Sequence, residues 1–236
     1  MKAPNRPSDP VAFHSEIAAD FHASYRGDRN RRERVRVWNE LLDRYARNAK
    51  FAYDIGCGSG VLACDIARRG IETIGIDGAV GMLRLSEQTA CNQGLANISF
   101  QQHRLPISNT TGFRQADIVI SSSVIEYLNS IPEALMFLRA LLRPEGVLMF
   151  SVSNRSSLSR AVVRWVHRLT GRPRYFGLLR HFMTVQDIQA DLGICGLTYI
   201  EHVYFGRSDR LNRVLSRFLS PKYSSNMILV VAKRAM

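Results

Sequence analysis

The sequence predicts an α/β fold of parallel β-α-β units with helices on both faces of a doubly wound sheet. Three observations predict it. Short apolar runs of strand length alternate with segments of helix length from Phe51 onward. A bend with three glycines in five positions, Gly56, Gly58 and Gly60, joins the first strand to the first helix of that series. An acid, Asp77, closes the next strand, twenty-one residues beyond Gly56.

Residues 1 to 10 carry three prolines and read as a loose tail. Val11 to Tyr25 reads as a helix with Phe13, Ile17 and Phe21 inward, and Arg31 to Arg47 as a firmer one through Val35, Trp38, Leu41, Leu42 and Tyr45. The rhythm then changes. Strands are predicted over Phe51 to Ile55, Ile71 to Ile76, Ile98 to Gln102, Ala116 to Ser121 and Val147 to Val152. Helices are predicted over Val61 to Arg69, Gly81 to Asn92 and Ile131 to Leu141, with Pro144 and Gly146 turning the chain into the fifth strand. Asn154 to Thr170 reads as a basic helix with an apolar stripe of Leu158, Ala161, Val162, Trp165, Val166 and Leu169. Thr184 is a candidate N-cap for the helix Val185 to Leu192. Strands at Leu197 to Tyr204 and Asn226 to Ala232 flank a basic helix over Asp209 to Leu219.

This pattern divides the chain into an N-terminal helical cap (1–50), a core (51–153), a basic helical insertion (154–183) and the C-terminal part of the core (184–236). At 236 residues and 46% apolar composition a real hydrophobic core is expected. No run is long enough to span a membrane, and MKAPNRPSDP has no apolar segment of the signal-peptide kind, so a cytoplasmic location is expected. Cys57, Cys64, Cys91 and Cys195 form no CxxC pair, and the histidines no HExxH, so neither a disulfide framework nor a metal is expected.

The formal net charge is +12. It is compatible with nucleic acid, an anionic membrane or an anionic substrate, and says nothing about fold. Its distribution is more informative: Arg155 to Gln186 holds seven arginines and no acid.

A side chain in the glycine bend would fill the space where a ligand approaches backbone, and the exposed amides there favour an electron-rich group. Asp77 stands where an acid binds the two hydroxyls of a ribose. Together they imply a nucleoside-containing ligand across the carboxyl ends of the first two strands. A dinucleotide fingerprint G-x-G-x-x-G needs glycine at position 61, where this chain has Val61. Asp54, two residues before Gly56, instead suits an ammonium group. S-adenosylmethionine carries such an amine, with a carboxylate for the glycine amides and a ribose for Asp77.

DIGCGSG, GIDGAVGML, ADIVISSSVIEYL and LLRPEGVLMFSVSN, in this order, resemble the class I S-adenosylmethionine-dependent methyltransferases, particularly the small-molecule group with the ubiquinone and polyketide O-methyltransferases. The resemblance covers Phe51 to Ser153 and the final strand. It implies a seven-stranded, mostly parallel Rossmann-like sheet with an antiparallel last strand. It also implies that Asp54, Gly56, Cys57, Gly58 and Gly60 hold the amino-acid part of the cofactor, that Asp77 binds ribose with Gly78 behind it, and that Met82 contacts adenine. His103, Arg104 and Leu105 occupy the adenine-recognition segment, where Leu105 would pack on the ring. Ser121 and Ser122 stand where the fourth strand opens toward the methyl group. The family's Glu-His pair reads Glu126-Tyr127 here, so a base at that histidine does not carry over.

Methyl transfer from a sulfonium requires placement and water exclusion, and a base only where the acceptor must lose a proton. His181, Tyr127, Glu126 and Tyr25 are the candidates for that proton. The resemblance implies a small-molecule acceptor, with O-methylation of an aromatic, quinone-precursor, polyketide or other natural-product compound as the leading reading. The basic insertion admits three readings: a solvated cap, an anionic-acceptor site, or a helix on an anionic membrane that receives a lipophilic acceptor, peripheral at the inner membrane surface. Nucleic-acid methylation is the alternative prompted by charge, but ISSSVIEY replaces an NPPY-like segment and no nucleic-acid module appears. A noncatalytic cofactor-binding scaffold is the second alternative. Neither apolar stripe demands a partner, so the oligomeric state stays open.

Overall fold

The computed structural model describes residues 9–107, 110–207 and 209–235. The tail read over residues 1 to 10 lies mostly outside these. Seven strands form one sheet: β1 (Phe51–Ile55), β2 (Glu72–Asp77), β3 (Ile98–Gln102), β4 (Ala116–Ser122), β5 (Leu142–Ser153), β6 (Leu197–Phe205) and β7 (Met227–Arg234), in the order β3-β2-β1-β4-β5-β7-β6. The ladders from β3 to β5 are parallel, and β7 runs antiparallel to both β5 and β6. The expected sheet with its antiparallel last strand is therefore what the chain forms.

Continuous apolar strands mean that both faces are covered. Phe51, Tyr53 and Ile55 of β1 enter one core, with Leu148 and Phe150 of β5 and Ile228 and Val230 of β7. The helices α6 (Ile131–Ala140) and α8 (Val185–Ile194) cover this side. Ala52, Met149, Leu229 and Val231 point the other way, into a core closed by α3 (Arg29–Tyr45) and α4 (Val61–Ala67). The period of two along each strand sorts these residues between the cores. Helix α5 (Val80–Asn92) packs beside β3.

Trp38 of α3 is 0% exposed and packs in the second core. The segment before residue 51 thus contributes a core layer through α3. Trp38→Ala is expected to cost about 3–5 kcal/mol through lost burial and a cavity. A fall in the urea midpoint without a change in m checks this.

Several local expectations are corrected. The helix expected over Val11 to Tyr25 is broken at Ile17 into α1 (Pro10–Glu16) and α2 (Ala18–Gly27). The basic helix α7 (Leu158–Thr170) starts four residues later than expected, with Ser157 as N-cap, because the Asn154 side chain is buried and donates to the Lys222 and Ser225 carbonyls. The expected turn at Pro144 and Gly146 is a wide irregularity inside β5: Ala116 pairs with Leu142, and Ile118 with Val147. The last basic helix is shorter, α9 (Arg210–Leu215), capped by Asp209 and followed by α10 (Pro221–Ser224). Thr184 caps α8 as expected, in a reciprocal capping box with Asp187.

Candidate functional site

The sheet order reverses between β1 and β4, which opens a crevice at the carboxyl ends of these strands. The Gly56 and Cys57 amides both donate to the Ile76 carbonyl, at 2.7 and 3.0 Å, tying the bend after β1 to the end of β2. Gly56 has φ +73°, and a Cβ there would lie 2.1 Å from Val124 Cγ2. At Gly60, φ +76°, a Cβ would lie 3.0 Å from the Ser86 Cα and 2.7 Å from its Cβ. Both positions require glycine twice over, for conformation and for space. Asp77 closes the construction: Oδ2 accepts from the Gly58 amide at 2.9 Å and Oδ1 from the Ala79 amide at 2.8 Å.

Asp54 is 1% exposed, and neither carboxylate oxygen has a hydrogen-bond partner. Burial, reinforced by the charge of Asp77, pushes its carboxyl up to about 8, with the Ala63 amide opposing them. An unpartnered buried carboxylate is costly unless a cation joins it.

A cavity of about 740 Å³ joins this end of the sheet to the N-terminal helices and to α7. Asp54, Gly56, Cys57, Gly58, Asp77, Gly78 and Met82 line one part of it, with Arg104, Leu105 and Ser122. Tyr25, Glu126 and Tyr127 also line it. Four expected site residues do not. Gly60 is turned toward Ser86 on α5; the His103 ring packs against Phe113; and Ser121 is buried, its side chain unpartnered. His181 is the fourth, its Nε2 3.0 Å from the Leu128 carbonyl oxygen. That contact fastens the ring to the backbone of Leu128, which lines the cavity with Arg180, while His181 itself does not line it. Arg104 is held by an ion pair with Asp9 at 2.6 Å.

The carboxyl of Glu126 is buried and raised, chiefly by desolvation, and its Oε2 accepts from the Ser153 amide at 2.5 Å. Burial and the neighbouring Glu126 raise the Tyr127 phenol. Cys57 is pushed well up by burial and by Asp54 and Asp77, which leaves it an inert thiol.

Two lining residues escaped the sequence reading. His14 of α1 lies edge-on to Tyr127 at 5.5 Å and to Phe21 at 6.1 Å. Burial, helped by Arg31, takes its imidazole down to about 4, so it is neutral at pH 7. Arg34 of α3 donates to the hydroxyls of Ser122 at 2.8 Å and Ser123 at 2.9 Å. Desolvation lowers its guanidinium, which stays charged at physiological pH. Among the described residues no carboxylate lies within ion-pair distance of Arg34. Arg34 lies in the helix read over Arg31 to Arg47, where the apolar spacing marked Val35 and Trp38 but not Arg34; only the helical period announced α1.

The residues present fit S-adenosylmethionine on this structure's own terms. The orphaned Asp54 carboxylate calls for an ammonium, the glycine bend leaves room for backbone approach, and Asp77 keeps lone pairs for a diol.

Comparison with known proteins agrees. Residues 53–148 match the family described as "Methyltransferase domain". A ubiquinone biosynthesis O-methyltransferase of Azorhizobium caulinodans is 27% identical over 150 residues, 63% of this chain and 58% of that protein. One from Rhodopseudomonas palustris is 28% identical over 182 residues, 75% of this chain and 68% of that protein. The chain thus spans between about half and two thirds of the curated relatives it matches. Among solved structures, magnesium protoporphyrin IX methyltransferase from Synechocystis, with bound S-adenosylhomocysteine, superposes with a TM-score of 0.70 at 16% identity, covering 96% of this chain and 100% of that one. The N-methyltransferase NodS from Bradyrhizobium japonicum gives 0.65 at 16%, covering 96% and 98%. These two likenesses concern the fold. Fold, glycine bend, paired acids and the matched segment point the same way: residues 53–148 are similar to the methyltransferase domain family, and the carboxyl end of the sheet has the features of an S-adenosylmethionine site.

Proposed function

We propose that this protein methylates a small-molecule acceptor at the hydroxyl of an aromatic ring. One observation carries the proposal: a single cavity runs from the acids Asp54 and Asp77 to a wall of Phe13, Phe21, Tyr25 and Tyr127. Bound at the acidic end, the cofactor supplies an electrophilic methyl group. The aromatic end suits a flat apolar acceptor. The ubiquinone O-methyltransferase relatives support the oxygen as the methylated atom.

In this reading the chain's residues divide the work. Asp54 holds the ammonium, Asp77 the ribose, and Met82 and Leu105 flank the adenine. Arg34, delivered by α3 to Ser122 and Ser123, holds the carboxylate. The cap helices α1 and α2 and the 154–183 insertion close the acceptor side and exclude water. His14, kept neutral, accepts a hydrogen bond from the acceptor hydroxyl and takes its proton as the oxygen is consumed. Tyr127, Tyr25 and Glu126 shape the acceptor wall.

The experiment is incubation with S-adenosylmethionine and a panel of catechols, hydroxybenzoates and matched aromatic amines, followed by mass spectrometry. Products one methyl group heavier are expected from the phenols. Methylation of the amines alone would overturn the oxygen assignment, and no product with any acceptor would favour a noncatalytic scaffold. With a methylated phenol in hand, His14→Ala is expected to lower kcat about 100-fold while cofactor affinity stays within twofold.

Arg34→Met is expected to weaken S-adenosylhomocysteine binding by about 10- to 100-fold, the worth of charged hydrogen bonds. Methylthioadenosine, which lacks the amino-acid part, should bind both forms alike. Equal losses for both ligands in calorimetry would instead mean that Arg34 only shapes the cavity.

A further inference from the structure

Helix α7 presents its faces in the reverse of the usual order. A surface helix ordinarily turns its apolar stripe to the core. Here Ser159 is buried, Arg160 and Val163 line the cavity, and the His167 ring lies 5.6 Å from Phe176, so the polar side faces inward. The apolar stripe faces out: Leu158, Val162, Trp165, Val166 and Leu169 share one side at spacings of three and four. Trp165 is 63% and Leu169 67% exposed.

A second set of exposed apolar residues lies nearby. Leu211 and Val214 of α9, then Phe218 at 81% exposure and Tyr223, are open to solvent. Helix α10 packs against both α7 and α9, which makes the two sets neighbours. Isolated exposed hydrophobes need no explanation, but a joined patch of this kind marks a contact surface.

Charge selects the partner. Arg168 and Arg172 are exposed at the border of the α7 stripe and Arg217 beside Phe218. No acid occurs between Arg155 and Gln186, and the Asp209 carboxylate is occupied by Asn212 and Asn226. A second copy placed on this face would set arginines against arginines. An anionic bilayer meets every feature: apolar side chains and an indole for the head-group and acyl boundary, and arginines for lipid phosphates. Tyr175 and Leu211 are both exposed and part of the cavity lining, so the mouth opens on the same side.

We propose that the outward face of α7 and α9 docks on the surface of an anionic lipid bilayer. Docking sets the cavity mouth at the depth where a lipophilic acceptor resides, whereas an aqueous acceptor has no need of it.

The two tryptophans make the test direct, because Trp38 is buried and Trp165 exposed. Full-length protein is titrated with phosphatidylcholine–phosphatidylglycerol vesicles and with pure phosphatidylcholine vesicles, reading Trp emission and co-flotation. A blue shift and flotation with the anionic vesicles are expected. Arg168→Gln with Arg172→Gln should weaken partitioning by about fivefold per arginine removed. Leu169→Ser with Phe218→Ser should abolish flotation, with an unchanged melting curve because both side chains are exposed. Absence of binding to anionic vesicles, or equal binding to pure phosphatidylcholine, would overturn the proposal. So would concentration-dependent self-association lost in the Leu169→Ser, Phe218→Ser variant, which would give the face to a second copy.

Discussion

Asp77→Ala is expected to weaken S-adenosylmethionine binding by at least about 100-fold and to lower the melting temperature of the free protein. The carboxylate acts twice. In the structure it accepts the Gly58 and Ala79 amides, fixing the glycine bend against β2 and the start of α5. Each charge-assisted hydrogen bond is worth about 1.5–3 kcal/mol, and desolvation of Asp77, which raises its pKa, offsets part of this. A net loss of about 2 kcal/mol corresponds to roughly 4–8 °C in a chain of this size. In the proposed site the same carboxylate also holds the ribose, so two further charge-assisted bonds disappear with the side chain and affinity falls. Calorimetric titration and a thermal scan separate the two effects. A lower melting temperature with affinity unchanged within threefold would make Asp77 a structural hinge and refute the ribose assignment.

Cofactor binding is expected to be tightest near pH 8, well above the range of an ordinary carboxylate. Asp54 in the free protein titrates at about 8, so at pH 7 it is largely protonated. The cofactor's ammonium, an α-amino group of ordinary pKa about 7.7–8.0, carries its own proton. Side by side the two groups need only one proton between them. Below pH 8, binding therefore releases a proton, and affinity rises as pH rises; above it, binding takes one up and affinity falls. The free protein has the opposite dependence below pH 8. A carboxyl raised from 3.8 to about 8 on folding stabilises the native state at low pH, and this contribution is lost as pH rises through that window. Titrations in buffers of different ionisation enthalpy read the proton directly. Release of about one proton at pH 7, abolished in Asp54→Asn and absent for methylthioadenosine, is the expected result. Zero proton exchange in the unaltered protein would show that Asp54 does not face the ammonium.

These two predictions rest on a stretch that could be read without coordinates. Strand, glycine bend, helix and a second strand ending in an acid form one contiguous unit. Its chemistry follows from local rules: φ above zero needs glycine, and adjacent parallel strands set Asp54 opposite Gly75, so that Asp77, two residues further on, leaves the sheet on the same face as Asp54. The helices around the acceptor follow no such rule. Periodicity showed that α1 and α7 each have an apolar stripe, yet the two are used oppositely: α1 buries Phe13, while α7 holds Trp165 in solvent. A stripe records that a face exists and is silent on what covers it.

The same limit applies to the histidines. His181 sits in a basic segment beside aromatic residues, as a site histidine would, and the chain after the turn at residues 174–178 returns along Glu126 and fastens the ring to the Leu128 carbonyl. His14 and Arg34 come from helices whose sequences promised only packing and solubility, and long-range placement brings them to the cavity beside Tyr127 and Ser122. Sequence alone determined the sheet, the bend and the two acids, because neighbours along the chain and a strand period of two dictate them. Tertiary structure alone decided which histidine, which arginine and which helix face meet ligand or solvent, because those contacts join residues far apart in the chain, where no local pattern records the partner.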